Sequence, residues 1–271
     1  MLIPMKKIVR KDKYGLCLDE YKYNKNFKEV YMGRASGRYP EMESSKAEAQ
    51  IIKKLIKKNY SVLDAGCACG HYYRSFKRVI KKKFTYTGMD PYEILLDGAK
   101  KVWKDETNVS FKQGNLFKIP FKSKQFDLVV CNNVLTHIHK IKKPIKELLR
   151  VSKKYVVLRT PLDINSYRIQ LVYNNKWWNY TNVTPENEFD DKGNPRSFSY
   201  FDILSFDYLT SVIKSHNKKA KIRFIKDTFF NKNLIQKSYK NEKRPLATRI
   251  IGGEQISGCI MHPAYFVIIE Q

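Results

Sequence analysis

The ten residues Val62-Leu63-Asp64-Ala65-Gly66-Cys67-Ala68-Cys69-Gly70-His71 constrain this chain more than any other stretch. A short apolar run enters a turn of small residues, and a helical pattern (Tyr72 to Ile80) follows at once. Glycine tolerates positive φ and carries no Cβ, so a ligand can approach the backbone there. The helix beginning after Gly70 would turn its unpaired N–H groups and positive dipole end toward that ligand. The next apolar run, Phe84-Thr85-Tyr86-Thr87-Gly88-Met89-Asp90, ends in a carboxylate. Its spacing from Gly66 suits a βαβ unit whose second strand offers an acceptor to ribose hydroxyls.

The glycines do not read G-x-G-x-x-G, and Asp64 stands just before them. Here the chain resembles the class I S-adenosylmethionine-dependent methyltransferases. Their first motif is an acidic residue followed by small residues at alternate positions, matched by Asp64, Gly66, Ala68 and Gly70. The family usually has glycine where Ala68 stands. The resemblance implies S-adenosyl-L-methionine as cofactor and a Rossmann-like α/β fold. That fold is a doubly wound, mostly parallel seven-stranded sheet with an antiparallel closing strand and a substrate-binding insertion. It also implies cofactor contacts from Asp64, Gly66, Cys67, Ala68, Gly70, Asp90, Pro91, Asn115, Leu116 and Asn132. Asn115 stands where the family commonly has an adenine-binding Asp, and an amide oxygen can still accept that bond. Phe117 and Ile119 would either face the adenine or fill the core.

The order of elements supports that fold. Ser44-Ser45-Lys46-Ala47-Glu48 carries a Ser-x-x-Glu capping signature ahead of a helix with Ala47, Ile51 and Leu55 on one stripe. Further strands are expected at 109–115, 126–131 and 155–159, with helices from Pro91 and over 141–151. The strand Phe126-Asp127-Leu128-Val129-Val130-Cys131 is nearly continuous in apolar residues, as a strand covered on both faces should be. Alternating strands and helices of this kind give a parallel sheet. Helix is expected from Ser205 to Ile213, and strands at Lys221–Lys226 and Ala264–Glu270 would form the closing pair.

Two stretches lie outside this pattern. Residues 1–43 show no clean period and read as an N-terminal arm or lid ahead of a domain spanning 44–271, with Arg34 and Tyr39 as candidate ligand contacts. Residues 161–200 hold Trp177, Trp178 and Tyr180 and an acidic cluster (Glu186, Glu188, Asp190, Asp191), then a turn at Gly193-Asn194-Pro195. Long non-periodic segments in compact domains are usually binding loops, and the family places its acceptor-recognition insertion here. Stacking of Trp177, Trp178 and Tyr180 on sugar faces would suit a glycan.

Methyl transfer from a sulfonium needs alignment of the acceptor and exclusion of water above all. A hydroxyl acceptor benefits from a base near the methyl group. Asn132-Asn133-Val134-Leu135-Thr136-His137-Ile138 matches the family's loop at the end of strand four, so His137 is the expected base and His139 a substrate contact. The Asn/Asp-Pro-Pro-aromatic motif of amine-methylating nucleic-acid enzymes is missing there. Cys131 lacks a Pro-Cys context, so a catalytic thiol is not expected. No metal is expected either: Cys67 and Cys69 have no partner pair, and clustered loop carboxylates are more often solvated.

Composition enters as a limit on partners. The formal charge is +26 over 271 residues, from 40 lysines and 12 arginines against 26 acidic residues. Such a field attracts anionic partners of any kind, but the lysines are scattered, and an AT-rich genome favours them. The expected acceptor is therefore a glycan, nucleotide-sugar or other small molecule, with RNA as the alternative and a catalytically silent cofactor-binding module as a third reading. No apolar run reaches membrane-spanning length, no secretory pattern opens the sequence, and the five cysteines are sparse. A cytoplasmic location with reduced thiols is the expectation.

Overall fold

The computed structural model describes residues 25–172, 189–194, 198–228, 248–251, 254–257 and 263–271. The helices are α1 (Lys25–Ser36), α2 (Glu43–Leu55), α3 (His71–Val79), α4 (Glu93–Val102), α5 (Lys142–Val151) and α6 (Phe206–His216). The main strands are β1 (Tyr60–Ala65), β2 (Phe84–Asp90), β3 (Val109–Gln113), β4 (Phe126–Asn132) and β5 (Ser152–Asp163). Three short strands follow, β6 (Gln170–Val172), β7 (Phe198–Tyr200) and β8 (Leu204–Ser205). The last four are β9 (Lys221–Lys226), β10 (Thr248–Ile251), β11 (Glu254–Ser257) and β12 (Ala264–Glu270).

Seven strands lie side by side in the order β3-β2-β1-β4-β5-β12-β9, with β8 paired to β5 off that path. Every pairing from β3 to β5 is parallel, and β12 runs antiparallel to both β5 and β9. The strand order reverses between β1 and β4, so a crevice opens at their carboxyl ends, where open α/β sheets bind ligands. The expected doubly wound sheet and closing strand are therefore present, and β9 and β12 fall at the residues the pattern marked.

The sheet is covered on both faces. One core layer joins Leu63, Val129, Val156 and Val267 to Ile145, Leu148, Leu209 and Ile213 of α5 and α6. The opposite layer joins Val62, Leu128, Val130 and Val157 to Ile52 of α2 and Phe76 of α3. Alternate residues of β1 and β4 thus serve opposite layers, which is why these strands read as continuous apolar runs.

Two expectations need correction. The Ser-x-x-Glu sequence does not cap a helix: α2 begins at Glu43 after Met42, with no side-chain cap. Ser44 and Ser45 are buried instead, their hydroxyls bonded to Tyr72 Oη (3.0 Å) and Ser75 Oγ (2.9 Å) of α3. Glu48 lies on the same buried stripe, one turn beyond Ser44. The second correction concerns the arm, where Lys25–Ser36 is helical although no period marks it. This helix reaches α4 and the turn through Met32, which lies against Gly98, and Tyr31, whose ring sits 4.9 Å from that of His71. Of the turn expected at Gly193-Asn194-Pro195, Pro195 lies outside the described residues; Asp190 Oδ1 closes the chain just before it, accepting from the Lys192 and Asn194 N–H groups at 3.0 and 2.8 Å.

One ion pair is wholly enclosed. Arg159 of β5 donates from Nε to Asp227 Oδ2 (2.7 Å) just beyond β9, and from Nη1 to Asn133 Oδ1 (2.5 Å) at the end of β4. Both charged side chains are 1% exposed or less. Removing one partner strands the other charge in the core, at a cost of about 3–5 kcal/mol. Arg159→Met should destabilise the chain by that amount in urea unfolding. Arg159→Met combined with Asp227→Leu should recover most of the loss.

Candidate functional site

The site is built on the turn between β1 and α3. Gly66, Ala68 and Gly70 have φ of 96°, 47° and 69°, so every second residue is left-handed. Ala68 holds this conformation despite its Cβ, at a cost of roughly 1–2 kcal/mol; that cost accounts for glycine being usual at such a position. A Cβ on Gly66 would lie 2.4 Å from Val134 Cγ2. The side chain missing at Gly66 therefore makes room for the loop after β4, and that loop rests directly on the turn.

Asp90 holds the turn from the neighbouring strand. Its Oδ2 accepts the Ala68 N–H at 2.9 Å and its Oδ1 the Tyr92 N–H at 3.0 Å. The Met89 carbonyl accepts the N–H groups of Gly66 (2.7 Å) and Cys67 (3.1 Å). Beside them, the Tyr86 hydroxyl donates to Asp64 Oδ2 at 2.6 Å. Burial pushes the carboxyl of Asp64 up to about 7 and that of Asp90 up to about 6. It lowers His71 to about 3, so the imidazole at the start of α3 is neutral.

The other expected cofactor contacts divide. Cys67 and Cys69 are buried, with Sγ atoms toward the carbonyls of Ala68 (3.4 Å) and Leu95 (3.3 Å), so only their backbone can meet a ligand. Burial also raises the thiols of Cys67, Cys69 and Cys131, which keeps them protonated. Asn115 Oδ1 accepts the Phe117 N–H at 2.8 Å, and Leu116, Phe117 and Ile119 belong to the core. Pro91 is exposed, and its carbonyl accepts from Gln113 Nε2 at 3.0 Å. Arg34 reaches the turn from α1, with its guanidinium 5.8 Å from the centre of the Tyr31 ring that faces His71. Tyr39 lies against Gly33 of the same helix. Trp177, Trp178, Tyr180, Glu186 and Glu188 lie outside the described residues. Among the described residues no three His, Cys, Asp or Glu side chains gather as metal ligands.

The loop leaving β4 carries the remaining candidates. Asn132 donates from Nδ2 to Glu48 Oε2 at 2.6 Å, and Asn133, left-handed at φ 56°, donates from Nδ2 to Tyr72 Oη at 3.3 Å. Leu135–His137 form a single 3-10 turn. His137 donates from Nδ1 to the Tyr200 carbonyl at 2.9 Å, since a carbonyl can only accept. His139 donates from Nδ1 to Asp202 Oδ2 at 2.5 Å, and its ring stacks on Tyr200 with centroids 3.5 Å apart. Asp202 is fully buried and also receives Arg168 Nη1 (2.6 Å) and the Ile169 N–H (3.2 Å). Its backbone is tied to Thr136 in both directions, N–H to carbonyl at 2.7 Å and Thr136 Oγ1 to the Asp202 carbonyl at 3.0 Å. The far end of the insertion thus meets the loop that carries the two histidines through Tyr200, and its near end meets Asp202 through Arg168 and Ile169. A carboxylate-oriented imidazole with Nδ1 protonated presents a lone pair at Nε2, the arrangement of a proton acceptor.

Glu48, Arg159, Arg168, Asp202 and Asp227 were not marked as site residues by the sequence. The signals were present but faint: Arg159 and Asp202 interrupt apolar runs, and Glu48 falls on a helix stripe that is otherwise buried.

A family model described as a methyltransferase domain matches residues 56–177. An uncharacterized methyltransferase of Schizosaccharomyces pombe is 33% identical over 108 residues, 37% of this chain and 38% of that protein. A demethylmenaquinone methyltransferase of Staphylococcus saprophyticus is 26% identical over 105 residues, 38% of this chain and 45% of that protein. The chain thus spans less than half the length of these curated relatives. A methyltransferase of Haloferax volcanii, solved with the Trm112 methyltransferase activator, superposes with a TM-score of 0.54 over 90% of this chain and 96% of that one. At 12% identity that likeness shows the fold.

The buried carboxyls make stability depend on pH. Asp64 and Asp90 titrate near 7 and 6 in the folded chain and near 4 when unfolded, so the folded state binds more protons between those limits. Their contribution to stability is present below about pH 4 and is lost as pH rises through about 6–7. Urea unfolding of the ligand-free protein should show this decline between about pH 4.5 and 7.5. Asp64→Asn, which keeps an acceptor for Tyr86, should remove the Asp64 part of it and leave the part that Asp90 and the equally buried Glu48 contribute.

Proposed function

We propose, from the premise that residues 56–177 belong to the class I S-adenosylmethionine-dependent methyltransferase domain family, that this chain methylates a hydroxyl oxygen of a glycan, nucleotide-sugar or other small acceptor. The observation that carries the reading is the loop of residues 132–139, which rests on the turn at Gly66 and holds His139 against a buried carboxylate. Bound at that turn, S-adenosylmethionine supplies an activated methyl group with a neutral thioether as leaving group.

The residues present fit the cofactor. Asp90 ends β2 at the crevice with a carboxylate that can accept further bonds from ribose hydroxyls. The left-handed turn brings backbone close to the ligand, and α3 adds the positive end of its dipole. Asn115 and Leu116 follow the end of β3, and Arg34 approaches from α1. An acceptor hydroxyl placed between the turn and the loop would lose its proton to the Nε2 of a histidine as its oxygen takes the methyl group. Sequence alone favoured His137 for that role. Its ring, however, is fixed to a backbone carbonyl, whereas Asp202 can stabilise the charge that forms on His139. We therefore assign the proton to His139 and leave His137 as the residue that seats the loop on Tyr200.

The glycan or small-molecule reading is supported by the aromatic residues of the insertion, whose far end meets the histidine loop and whose near end meets Asp202. RNA remains the alternative because of the net charge. A labelled-methyl transfer screen across nucleotide-sugars, extracted glycans and RNA separates the classes. Labelling of RNA alone, with binding that weakens steeply with salt, would overturn the acceptor class; cofactor binding with no transfer to any class would favour the silent module. On the labelled acceptor, His139→Ala should lower kcat by roughly a hundredfold or more, and His137→Ala by less. Trp177→Ala with Trp178→Ala should abolish transfer while leaving cofactor affinity intact. Asp90→Asn should weaken binding of the demethylated product at least about tenfold in calorimetry, as expected for lost charge-assisted bonds.

A further inference from the structure

Many lysines that lie apart in the sequence are gathered by the topology at one end of the sheet. The segments entering β1 (56–59), β2 (80–83), β4 (122–125) and β9 (217–220), with the first residues of β5 and β9, carry twelve lysines, all of them exposed. The loops leaving β1, β2, β3 and β4 at the candidate site (66–70, 91–92, 114–117 and 132–139) hold no lysine and no arginine. A bias of composition alone would fall on both ends alike. Cations in the last turn of a helix complement its dipole, but that effect fades within the turn. Lys57, Lys58, Lys81 and Lys83 lie beyond the last residues of α2 and α3.

These segments are neighbours in space. The strand order sets β2, β1, β4, β5, β12 and β9 side by side. The Asn59 N–H donates to the Lys83 carbonyl and the Lys124 N–H to the Arg150 carbonyl, both at 2.7 Å, which joins the entries of β1 and β2 and brings that of β4 to the end of α5. Across the carboxyl end of β12, Glu270 pairs in register with Tyr155 on one side and Lys221 on the other. Six strands at the usual spacing make a row of about 25 Å, one sheet thick. Lys82 Nζ donates to the Ile56 carbonyl (2.6 Å) and Lys154 Nζ to Tyr60 Oη (3.1 Å), and Lys153 Nζ lies 3.8 Å from Asp127. The other nine ammonium groups make no hydrogen bond or ion pair among the described residues. Asp127 and Glu270 are the carboxylates set within the row; Asp105 and Glu106 flank the entry of the edge strand β3, past its end, and Glu106 is paired with Lys77.

We propose that the amino ends of these strands form a docking row for a single nucleic-acid strand, held through its phosphates at the end of the fold opposite the candidate site. A row of unpaired ammonium groups is complementary to a repeating anion. It is narrow, and the twist between neighbouring strands bends it, so it follows a flexible chain better than a plane. Among the described residues the exposed large apolar side chains are Ile164, Tyr167 and Phe189, none of them in these segments, so this end offers no wedge to a bilayer. Lysines laid along phosphates carry no base readout, so the row is indifferent to sequence. The six residues of β1 separate it from the turn at Gly66 by about 20 Å. The row thus fixes a partner and not the methyl acceptor, and it holds whichever acceptor class is methylated.

The experiment is fluorescence anisotropy on the full chain with labelled oligouridylate and oligothymidylate of about 20 nucleotides. Both should bind alike, and log K should fall against log salt with a slope of about −3 to −4, the value for roughly five phosphates of a single strand. Lys57→Gln, Lys58→Gln, Lys81→Gln and Lys83→Gln together should weaken binding at least about tenfold at about 0.1 M salt and make the slope shallower by about 2. The same change of charge at Lys140, Lys142, Lys143 and Lys146, exposed on and just before α5, should cost less than about threefold. All eight side chains are exposed, so both variants should keep the urea midpoint of the wild type. Equal weakening by the two sets would overturn the row and leave only the net charge. Failure of the wild type to bind either oligonucleotide at about 0.1 M salt would overturn it too, and binding of phosphatidylserine vesicles in their place would assign this end to a lipid surface. Binding of oligouridylate alone would overturn docking through phosphates, since a 2′-hydroxyl would then be read.

Discussion

The Asp90 carboxylate is the interaction on which the site depends. It accepts one N–H from the left-handed turn after β1 and one from the start of the segment leading to α4. Three left-handed residues in a span of five would not be stable as a free loop. They persist because a neighbouring strand supplies an acceptor at the right height. The same carboxylate ends β2 at the crevice, so the group that shapes the turn is also placed to read a ligand resting on it. On the cofactor reading proposed above, folding and recognition would draw on this one side chain, whose burial raises its pKa.

How far this could be read from the sequence depends on the range of the forces involved. Strand and helix periods are local, so β2, β9 and β12 fall where the apolar pattern places them. Left-handed residues are local as well, and the small residues at Gly66, Ala68 and Gly70 announce them. The site's polar contacts are different. His139 meets Asp202 across 63 positions, Arg159 meets Asp227 across 68, and Asn132 meets Glu48 across 84. No window on the sequence spans such pairs. A lone charged residue in an apolar run shows only that some partner exists.

Glu48 illustrates the limit most clearly. Ser45 and Glu48 have the spacing of a capping box, and a local rule applied to them gives a local answer. The helix starts earlier than that rule implies, so both residues lie inside it and are buried, Ser45 against α3 and Glu48 against the end of β4. The stripe Ser44, Glu48, Ile52 carried the correction, since every fourth residue shares a face. In the arm, α1 shows the converse. Its contacts with Gly98 and His71 come from Met32 and Tyr31, and Ala35 joins them on the same packed side, a stripe too short to show as a period among the charged residues around it.

The two-way bond between Thr136 and Asp202 has a mechanical consequence. It fastens the exit of the insertion to the loop that carries His139, so the imidazole and its carboxylate partner move as one rigid link. A shift of the insertion's root would carry the histidine with it instead of leaving it behind. On the function proposed above, binding of the acceptor and placing of His139 would then be a single event.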